Sequence, residues 1–427
     1  MVPATIPMTV HTASLANEGH VRQRIELKEW ESKEYWLSPR ALADLARCES
    51  KVLSVQVLPS GATKVTAGPF VGRLRLGSCD VVLRPKRPIP SLLTLLAEVH
   101  ELTHLVPELA GYTTTPEIVD LLVQIFLRQV DELVRNGLKR TYVNREEELV
   151  AIRGRVDVRR TFALHMRARP LAWCSYEDFT LDSIENRALL ATLVAVASNG
   201  SILQARRRVA HKLMGDFVSV QEVAMLPRDV GQIDCDRLSA HYEPVLRLAQ
   251  IILASMGLAN DFGGVGTNGF MLNMNTLFEL FIYRRLRRLL GEDGISVLRQ
   301  QTAAFDEDRQ AEVRPDLLIQ SHGGRRIVAD TKYKDKKDPE PGDLYQMLTY
   351  CRVLRVRHGI LITIGDRAPR RYIVRDGETT IEVVPVNLDG SLLDVDRSIM
   401  SLADQLRERL LPITNRSTTE EMLEETP

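Results

Sequence analysis

Residues 24–86 alternate between apolar and polar positions over short stretches, which is the pattern of half-buried strands. Apolar runs at 52–57, 71–76 and 80–83 are separated by turn residues, including a Pro-Ser-Gly turn. The alternation is strict at 73–76, where arginine and leucine take turns, so one face of that strand should be buried. We therefore expect a small barrel or sandwich in this part of the chain.

After Pro90 the apolar positions recur at helical spacing, and glycine and proline residues interrupt them. Residues 92–106, 118–138, 184–197 and 240–256 are accordingly predicted to form helices. The middle third of the chain should therefore be mainly helical.

The last third of the chain mixes helix and strand signals. A helix containing residues 275–282 is followed by a strand at 295–299, a β-hairpin, a helix at 343–354 and a strand at 359–364. The order α-β-β-β-α-β predicts a mixed sheet flanked by helices. With the two preceding regions this gives a multidomain α+β protein, which a length of 427 residues also favours.

The β-hairpin carries the candidate chemistry. Two runs rich in Ile, Val and Leu flank Gly323 and Gly324, and counting outward from Gly323 places Asp316 opposite Asp330, to within one residue. Lys332 lies two residues after Asp330 and therefore shares its face of the strand. Two carboxylates and a lysine on one face can hold Mg²⁺ and activate a water for phosphodiester hydrolysis. A surface ion pair among the three residues is the alternative.

Further polar residues lie on the helices before and after this hairpin. Glu279 is on the amphipathic helix before the sheet, from which a carboxylate could reach a metal. Gln346 and Tyr350 are four residues apart on the following helix and therefore share a face. Each could be an ordinary helix-surface residue. Together and in this order they match the nuclease core with the signature PD-(D/E)xK, in the variety with Q-x-x-x-Y after the lysine.

Composition narrows the possible partners. Lys+Arg and Asp+Glu both number 56, so net charge gives no general argument for nucleic-acid binding. Basic residues do concentrate at 284–288 and 332–337, although the first group is most simply a solvated helix face. The five cysteines are scattered, which argues against a disulfide framework or a structural zinc. Because no signal-peptide pattern and no apolar run of membrane length is evident, we expect a cytoplasmic protein without a membrane partner.

A series of motifs along the chain resembles the McrC family, the nuclease subunits of McrBC-type, methylation-dependent restriction systems. The resemblance covers roughly residues 24–390 and is specific because the motifs occur in one order. The motifs are Pro85-Lys86, residues 149–155, Tyr176 to Asp182 with Glu185-Asn186-Arg187, Met274-Asn275 to Phe278-Glu279, Pro315-Asp316, Asp330-Thr331-Lys332-Tyr333-Lys334 and Gln346-x-x-x-Tyr350.

The resemblance implies a DNA endonuclease subunit of a type IV, antiviral restriction complex. Its partner would be an McrB-like AAA+ GTPase hexamer, which binds GTP and double-stranded DNA containing 5-methylcytosine. The McrC-like subunit would stimulate GTP hydrolysis by that partner and cut the DNA. This chain would bind no GTP itself.

The resemblance also assigns roles to the residues of the hairpin and its flanking helices. Lys332 would orient the attacking water or help to deprotonate it, while Gln346 and Tyr350 would steady the site or touch the DNA backbone. The oxygen ligands for Mg²⁺ or Mn²⁺ would come from Asp316, Asp330, the carbonyl of Thr331 and, more weakly, Glu279.

Arg153 and Arg155 are candidates for activating the partner, because a guanidinium can stabilise phosphoryl-transfer charge. A structural salt bridge is the alternative for them.

The same interpretation divides the chain into parts. The expected parts are a disordered segment at 1–23, a β-rich partner-docking domain at 24–90, a mainly helical connecting region at 91–259, a PD-(D/E)xK nuclease domain at 260–395, and a helix with an acidic tail at 396–427.

Two other functions remain open at this point. The chain could be a catalytically silent activator of an AAA+ GTPase, although the intact Asp316, Asp330 and Lys332 argue against that. It could also be a zinc metallopeptidase, because His100 and His104 form a formal H-E-x-x-H. Against the peptidase, Pro107 ends the helix at once and no third ligand follows.

Overall fold

The computed structural model describes residues 22–411, apart from 49, 87–88, 101, 103–117, 264–267, 335–337, 376 and 389–391. Within these residues the protein is a mixed α/β, multidomain structure, as expected. The segment 1–23 was expected to be disordered, and its residues 1–21 lie outside the described residues. The acidic tail after Leu411 also lies outside them. Among the helices that are described, none is both long enough and apolar enough to cross a membrane.

Eighteen strands and eleven α-helices are described. The strands are β1 (Gln23–Lys28), β2 (Ser32–Tyr35), β3 (Leu53–Val57), β4 (Thr63–Ala67), β5 (Phe70–Leu76), β6 (Cys79–Arg84), β7 (Thr141–Leu149), β8 (Arg155–Val156), β9 (Ala172–Thr180), β10 (Asn268–Asn273), β11 (Ile295–Arg299), β12 (Ala303–Ala304), β13 (Glu312–Val313), β14 (Leu317–Ser321), β15 (Arg326–Lys332), β16 (His358–Ile364), β17 (Arg370–Ile373) and β18 (Thr380–Val386). The helices are α1 (Pro39–Ala46), α2 (Ile89–Val99), α3 (Ile118–Asn136), α4 (Val158–His165), α5 (Ile184–Ser198), α6 (Gln204–Met214), α7 (Pro227–Val230), α8 (Glu243–Gly263), α9 (Met274–Gly291), α10 (Pro341–Val353) and α11 (Leu392–Leu410).

The N-terminal region contains two sheets and α1 around one apolar core. The strand order is β1-β6-β5-β10 in the larger sheet and β2-β4-β3 in the smaller one. In β5 the side chains of Leu74 and Leu76 are buried, while Arg73 and Arg75 are only partly buried. The predicted strand with one buried face is therefore confirmed.

Strand β10 ties the N-terminal sheet to the C-terminal third of the chain. The sequence placed this segment with the C-terminal unit, but it is hydrogen-bonded to β5 as an edge strand, with Met271 opposite Gly72. The chain then passes directly into α9, whose N-terminal amides at Asn275 and Thr276 are capped by the side chain of Asn273. The two regions are therefore joined by pairing as well as by the chain.

The middle region contains the predicted helices, and they share an apolar core. Asn186 on α5 is fully buried there, and its amide donates to the carbonyl oxygens of Lys139 and Leu181 while its oxygen accepts from Tyr242. This region also contains an antiparallel sheet of β7, β9 and β8, which the sequence did not predict. Its strands are half-exposed on both faces, so they lack the apolar alternation by which strands are recognised.

The C-terminal region has a six-stranded mixed sheet in the order β11-β14-β15-β16-β18-β17. Strands β15, β16 and β18 run parallel, and the others are antiparallel to their neighbours. Helices α9 and α11 cover one face of the sheet, and α10 covers the other. The expected mixed sheet flanked by helices is confirmed, and its β11 and β16 agree with the predicted strands to within one residue.

The arginine-rich stretch of α9 is not simply a solvated helix face. Arg285 is buried, with ion pairs to Glu98 on α2 and to Asp396 on α11, and Arg288 also pairs with Glu98. A buried guanidinium needs such partners, because an uncompensated charge in the core is costly. This part of the cluster holds three helices together.

The pairing of β5 with β10 gives a prediction about stability. Gly72 has φ +141°, and a Cβ placed there would lie 2.0 Å from the carbonyl oxygen of Phe270, which is fixed backbone. We expect Gly72→Ala to destabilise the protein by roughly 2–4 kcal/mol, through backbone strain and loss of strand pairing. Urea unfolding should show this, while Gly137→Ala, which also has φ > 0 but meets no atom within 4 Å, should lose less. Equal losses would contradict the close approach of the two strands.

Candidate functional site

The hairpin of β14 and β15 positions the two aspartates. Leu317 pairs with Ala329, so Asp316, directly before β14, lies level with Asp330 in β15. The predicted register is confirmed. Val328 packs toward α10 and Ala329 toward the opposite core, so Asp330 and Lys332 face α10 by alternation.

All of the predicted catalytic and metal-binding side chains line one cavity of about 250 Å³ at the end of the sheet. Strand β15, the segments just before β14 and just after β15, and helices α9 and α10 contribute to it. Its lining also includes Asn275 and Arg314. The predicted residues in this lining are Glu279, Asp316, Asp330, Thr331, Lys332, Gln346 and Tyr350.

Asp330 is the most buried acid of the cavity, with only 3% of its surface exposed. Burial, and then the negative charge of Asp316, raise the pKa of its carboxyl to about 7, although Lys332 opposes them. The Nζ of Lys332 lies 2.7 Å from Oδ2 of Asp330 in an ion pair, yet this buried oxygen has no partner with hydrogen-bond geometry. Asp330 therefore has an oxygen that is available to a stronger electrophile.

Asp316 is held by the backbone of the neighbouring strand. Its Oδ2 accepts hydrogen bonds from the amide nitrogen and the hydroxyl of Thr331, each at 2.7 Å. The peptide segment between Asp330 and Lys332 thus orients Asp316. Because the register fixes both partners, the carboxylate cannot turn away without losing two bonds.

Lys332 is held by α10. Its Nζ donates to Oε1 of Gln346 at 2.9 Å, and the amide of Gln346 donates to the hydroxyl of Tyr350 at 2.6 Å. That hydroxyl donates in turn to the carbonyl of Arg314, directly before the Pro315-Asp316 pair. The two helix residues were expected to share a face, and they form one hydrogen-bonded chain from the lysine to the start of β14.

Asp343 is a site residue that the sequence interpretation missed. Its Oδ1 lies 3.9 Å from Nζ of Lys332. Burial alone would lower the pKa of Lys332, but the charges of Asp330, Asp343 and Asp316 outweigh it and raise that pKa. Asp343 precedes Gln346 by three residues, and this spacing on one helix face could have revealed it.

Glu279 lines the cavity from α9, but its Oε1 accepts hydrogen bonds from Arg299 and Gln300, both at 2.8 Å. Burial, and then repulsion from Asp316, raise the pKa of Glu279. The residue is thus close enough to Asp316 to sense its charge, while its carboxylate is engaged with the end of β11. A role as a water-mediated ligand stays a prediction.

The McrBC family, described as "McrBC 5-methylcytosine restriction system component", matches residues 65–363, which is more than half of the chain. The chain belongs to this family. It is also 20% identical over 258 residues to the type IV methyl-directed restriction enzyme EcoKMcrBC of Escherichia coli K12, covering 57% of this chain and 74% of that protein.

The fold of this McrBC-family chain resembles that of a solved chain from Thermococcus gammatolerans. That chain belongs to the refined half-complex of a tetradecameric assembly of McrB AAA+ hexamers with bound McrC. The TM-score is 0.61 at 18% identity, over 90% of this chain and all of that one. At this identity the similarity concerns the fold alone.

Arg153 and Arg155 are not among the residues of the cavity. Arg153 follows β7, where it pairs with Asp178 at 2.9 Å and stacks over the ring of Tyr176 at 4.0 Å. Arg155 is exposed on β8. In this McrBC-family chain Arg155 thus belongs to the sheet formed by β7, β8 and β9, and Arg153 lies in the connection between β7 and β8.

The histidine pair that suggested zinc is only partly described. His100 is partly buried. Burial, and then the charges of Arg284 and Arg247, lower its pKa to about 4. His104 lies outside the described residues. Within the described ranges no three His, Cys, Asp or Glu side chains come together as a metal site.

The raised pKa of Asp330 predicts how stability depends on pH. The folded pKa is about 7, above the unfolded value of about 3.9, so folding favours the protonated carboxyl. Its contribution is therefore most favourable below about pH 4 and is lost as pH rises through about 7. We expect Asp330→Asn to stabilise the metal-free protein at about pH 8, by on the order of 2–4 kcal/mol, and much less at about pH 5.

Thermal unfolding at both pH values, without divalent metal, measures this effect. Asp216→Asn is the matched control, because Asp216 is an exposed carboxylate on a 3-10 helix of the middle region. A gain that is the same at both pH values, or the same in the control, would contradict the assignment of a strained, buried carboxylate.

Proposed function

We propose that this chain is the nuclease subunit of a modification-dependent restriction complex and hydrolyses phosphodiester bonds of DNA at the Asp316–Asp330–Lys332 site. The observation that carries the proposal is the convergence of these three side chains in one cavity. They lie in the strand register expected of a PD-(D/E)xK nuclease core. Membership of the McrBC family supports it.

The site fits Mg²⁺ or Mn²⁺. Two carboxylates that repel each other, one of them with a buried oxygen lacking a hydrogen bond, are a donor set that a hard divalent cation would stabilise. Asp316, Asp330 and the carbonyl of Thr331 would hold it. When bound, the metal would supply Lewis-acid stabilisation of the scissile phosphate and lower the pKa of the attacking water.

Lys332 acts in this proposal as a cation that orients the attacking water and stabilises charge on the phosphate. Its raised pKa keeps it protonated at neutral pH, so it is a poor base in the metal-free site. Gln346 and Tyr350 restrict its position through the hydrogen-bonded chain to Arg314. With its pKa lowered by a metal held by Asp316 and Asp330, the attacking water would release its proton to solvent.

A partner AAA+ GTPase is the second part of the proposal. In the Thermococcus gammatolerans assembly, McrC is bound to McrB AAA+ hexamers. Among the described residues, we place the docking surface on the sheet of β7, β8 and β9 with α4. The docking role expected of the β-rich domain at 24–90 stays a prediction. Large apolar side chains are exposed there, and Ile152 and Phe162 are 71% and 66% accessible. Exposed apolar patches of this kind mark protein interfaces.

The alternatives have less support. A silent activator would not need a lysine paired with Asp330 and Asp343 and hydrogen-bonded to Gln346. A zinc peptidase needs a third ligand, and the described residues provide no such group.

Cleavage of double-stranded DNA containing 5-methylcytosine, with the partner GTPase and GTP present, tests the nuclease. Asp330→Ala should abolish cleavage, and Lys332→Gln should slow it by about 10²–10³-fold, the usual cost of losing one preorganised charge-stabilising group. Asp216→Ala is the control and should cut normally. Full cleavage by Asp330→Ala would refute the site. Loss of cleavage supports the site when the variant still assembles with the partner, which gel filtration of the mixture checks.

Partner activation is tested separately, by GTP turnover of the partner mixed with full-length chain. Ile152→Asp should weaken stimulation roughly thirtyfold, because burying a charge at the centre of an interface costs as much as losing a hot spot. Arg153→Ala with Arg155→Ala should reduce it too, whereas Asp330→Ala should retain it. Leu238→Asp, which changes a side chain that is 82% exposed elsewhere, is the control. Normal stimulation by Ile152→Asp would place the docking surface elsewhere.

A further inference from the structure

We propose that Trp30, together with three lysines, forms a DNA-strand contact surface through which the N-terminal sheet extends the nuclease cavity. We call this surface the tryptophan rim. The inference rests on the proposed nuclease function and goes beyond it, because it assigns substrate binding to the N-terminal region. The tryptophan rim consists of Lys28, Trp30, Lys86 and Lys334.

Trp30 combines a left-handed backbone with an exposed side chain, a combination that the packing of the fold does not require. It lies in the turn between β1 and β2, where the amide of Glu31 donates to the carbonyl of Lys28. Its φ is +61°, a left-handed conformation that favours glycine or asparagine and that bulky residues rarely adopt. The side chain is nevertheless 41% exposed. Strained residues that persist at a surface are commonly functional.

Trp30 is in contact with the site through Lys334. The Nζ of Lys334 lies 5.9 Å from the centroid of the Trp30 ring, within the range of a cation–π contact. Lys334 also lines the cavity of Asp316 and Asp330, and it lies two residues after Lys332. Its Nζ also forms an ion pair with Glu340 at 3.4 Å. The indole is thus one side chain away from the cavity.

The other two lysines lie at the same edge. Strands β1 and β6 are parallel and paired from Gln23–Cys79 to Lys28–Arg84, so their carboxyl ends meet. Lys28 ends β1 and Lys86 follows β6, and both side chains are exposed. The amide of Lys86 donates to Oε1 of Glu29, the residue directly before Trp30. This hydrogen bond holds the end of β1 next to the end of β6.

This combination of groups fits a DNA strand. Lysines on an exposed edge neutralise phosphates, and an exposed indole stacks on a base or packs on a sugar. The DNA strand that carries the scissile phosphate must leave the cavity across its lining. On the side of Trp30 that lining includes the basic side chain of Lys334. Strand β10, which pairs with β5 and continues into α9, fixes the N-terminal sheet relative to this lining.

The test uses full-length chain carrying Asp330→Ala, so that the probe is not cut. The probe is a fluorescein-labelled duplex oligonucleotide at low ionic strength, with the same strand alone as a second arm, read by fluorescence anisotropy. Trp30→Gly relieves the left-handed backbone, so it should fold at least as well, and it should bind about tenfold more weakly. Trp30→Phe keeps a ring and should recover most of the affinity.

Trp36→Ala is the matched control. Trp36 follows the other end of β2 and is 68% exposed. It should bind the probe as the parent does. A loss of affinity by Trp36→Ala equal to that of Trp30→Gly, unchanged binding by Trp30→Gly, or no measurable binding by the parent would each overturn the inference.

A spectroscopic readout adds an independent check. The chain has three tryptophans, so replacing Trp36 and Trp173 by phenylalanine leaves Trp30 as the sole indole. Its fluorescence should be quenched as the probe binds, and absence of quenching on binding contradicts stacking. The outcomes also separate the two proposals. Cleavage of DNA by Asp330→Ala would refute the nuclease site. If Asp330→Ala does not cleave and Trp30→Gly binds the probe as the parent does, only the tryptophan rim is refuted.

Discussion

The register between β14 and β15 is the constraint on which the site depends. Pairing of Leu317 with Ala329 brings Asp316 level with Asp330 and leaves Thr331 free to bind the carboxylate of Asp316. Because side chains alternate along a strand, a slip of one residue would turn both Asp330 and Lys332 into the opposite core. The apolar residues of each face, such as Val328 and Ala329, exclude that slip by burial.

The charges in the cavity are balanced only in part. Lys332 is shared among Asp330, Asp343 and Gln346, yet burial and the charge of Asp316 still raise the pKa of Asp330 to about 7. Ionising such a carboxyl group without a metal destabilises the folded protein, and a bound cation would offset that cost. Gln346 holds the lysine, Arg299 and Gln300 hold Glu279, and Thr331 holds Asp316. The oxygen left without a hydrogen bond is Oδ2 of Asp330.

The sequence was sufficient where local rules act alone. Hairpin register follows from a glycine turn and alternation, and the Gln346–Tyr350 pair follows from helical spacing. It was insufficient where a position is defined by distant neighbours. Strands β7 and β9 lack apolar alternation because both faces are half-exposed, and β10 joins a sheet that is remote in sequence. Arg285 looked solvated because its partners lie on two other helices.

In the proposed function the hairpin carboxylates hold the metal, while the N-terminal sheet contacts the substrate and the middle sheet contacts the partner. Its central claim is most directly tested by titrating the full-length protein with Mn²⁺ and counting bound ions by electron paramagnetic resonance. We expect the parent to bind Mn²⁺, Asp316→Asn to lose this binding, and Asp216→Asn to keep it. Equal Mn²⁺ binding by the parent and by Asp316→Asn would contradict the account.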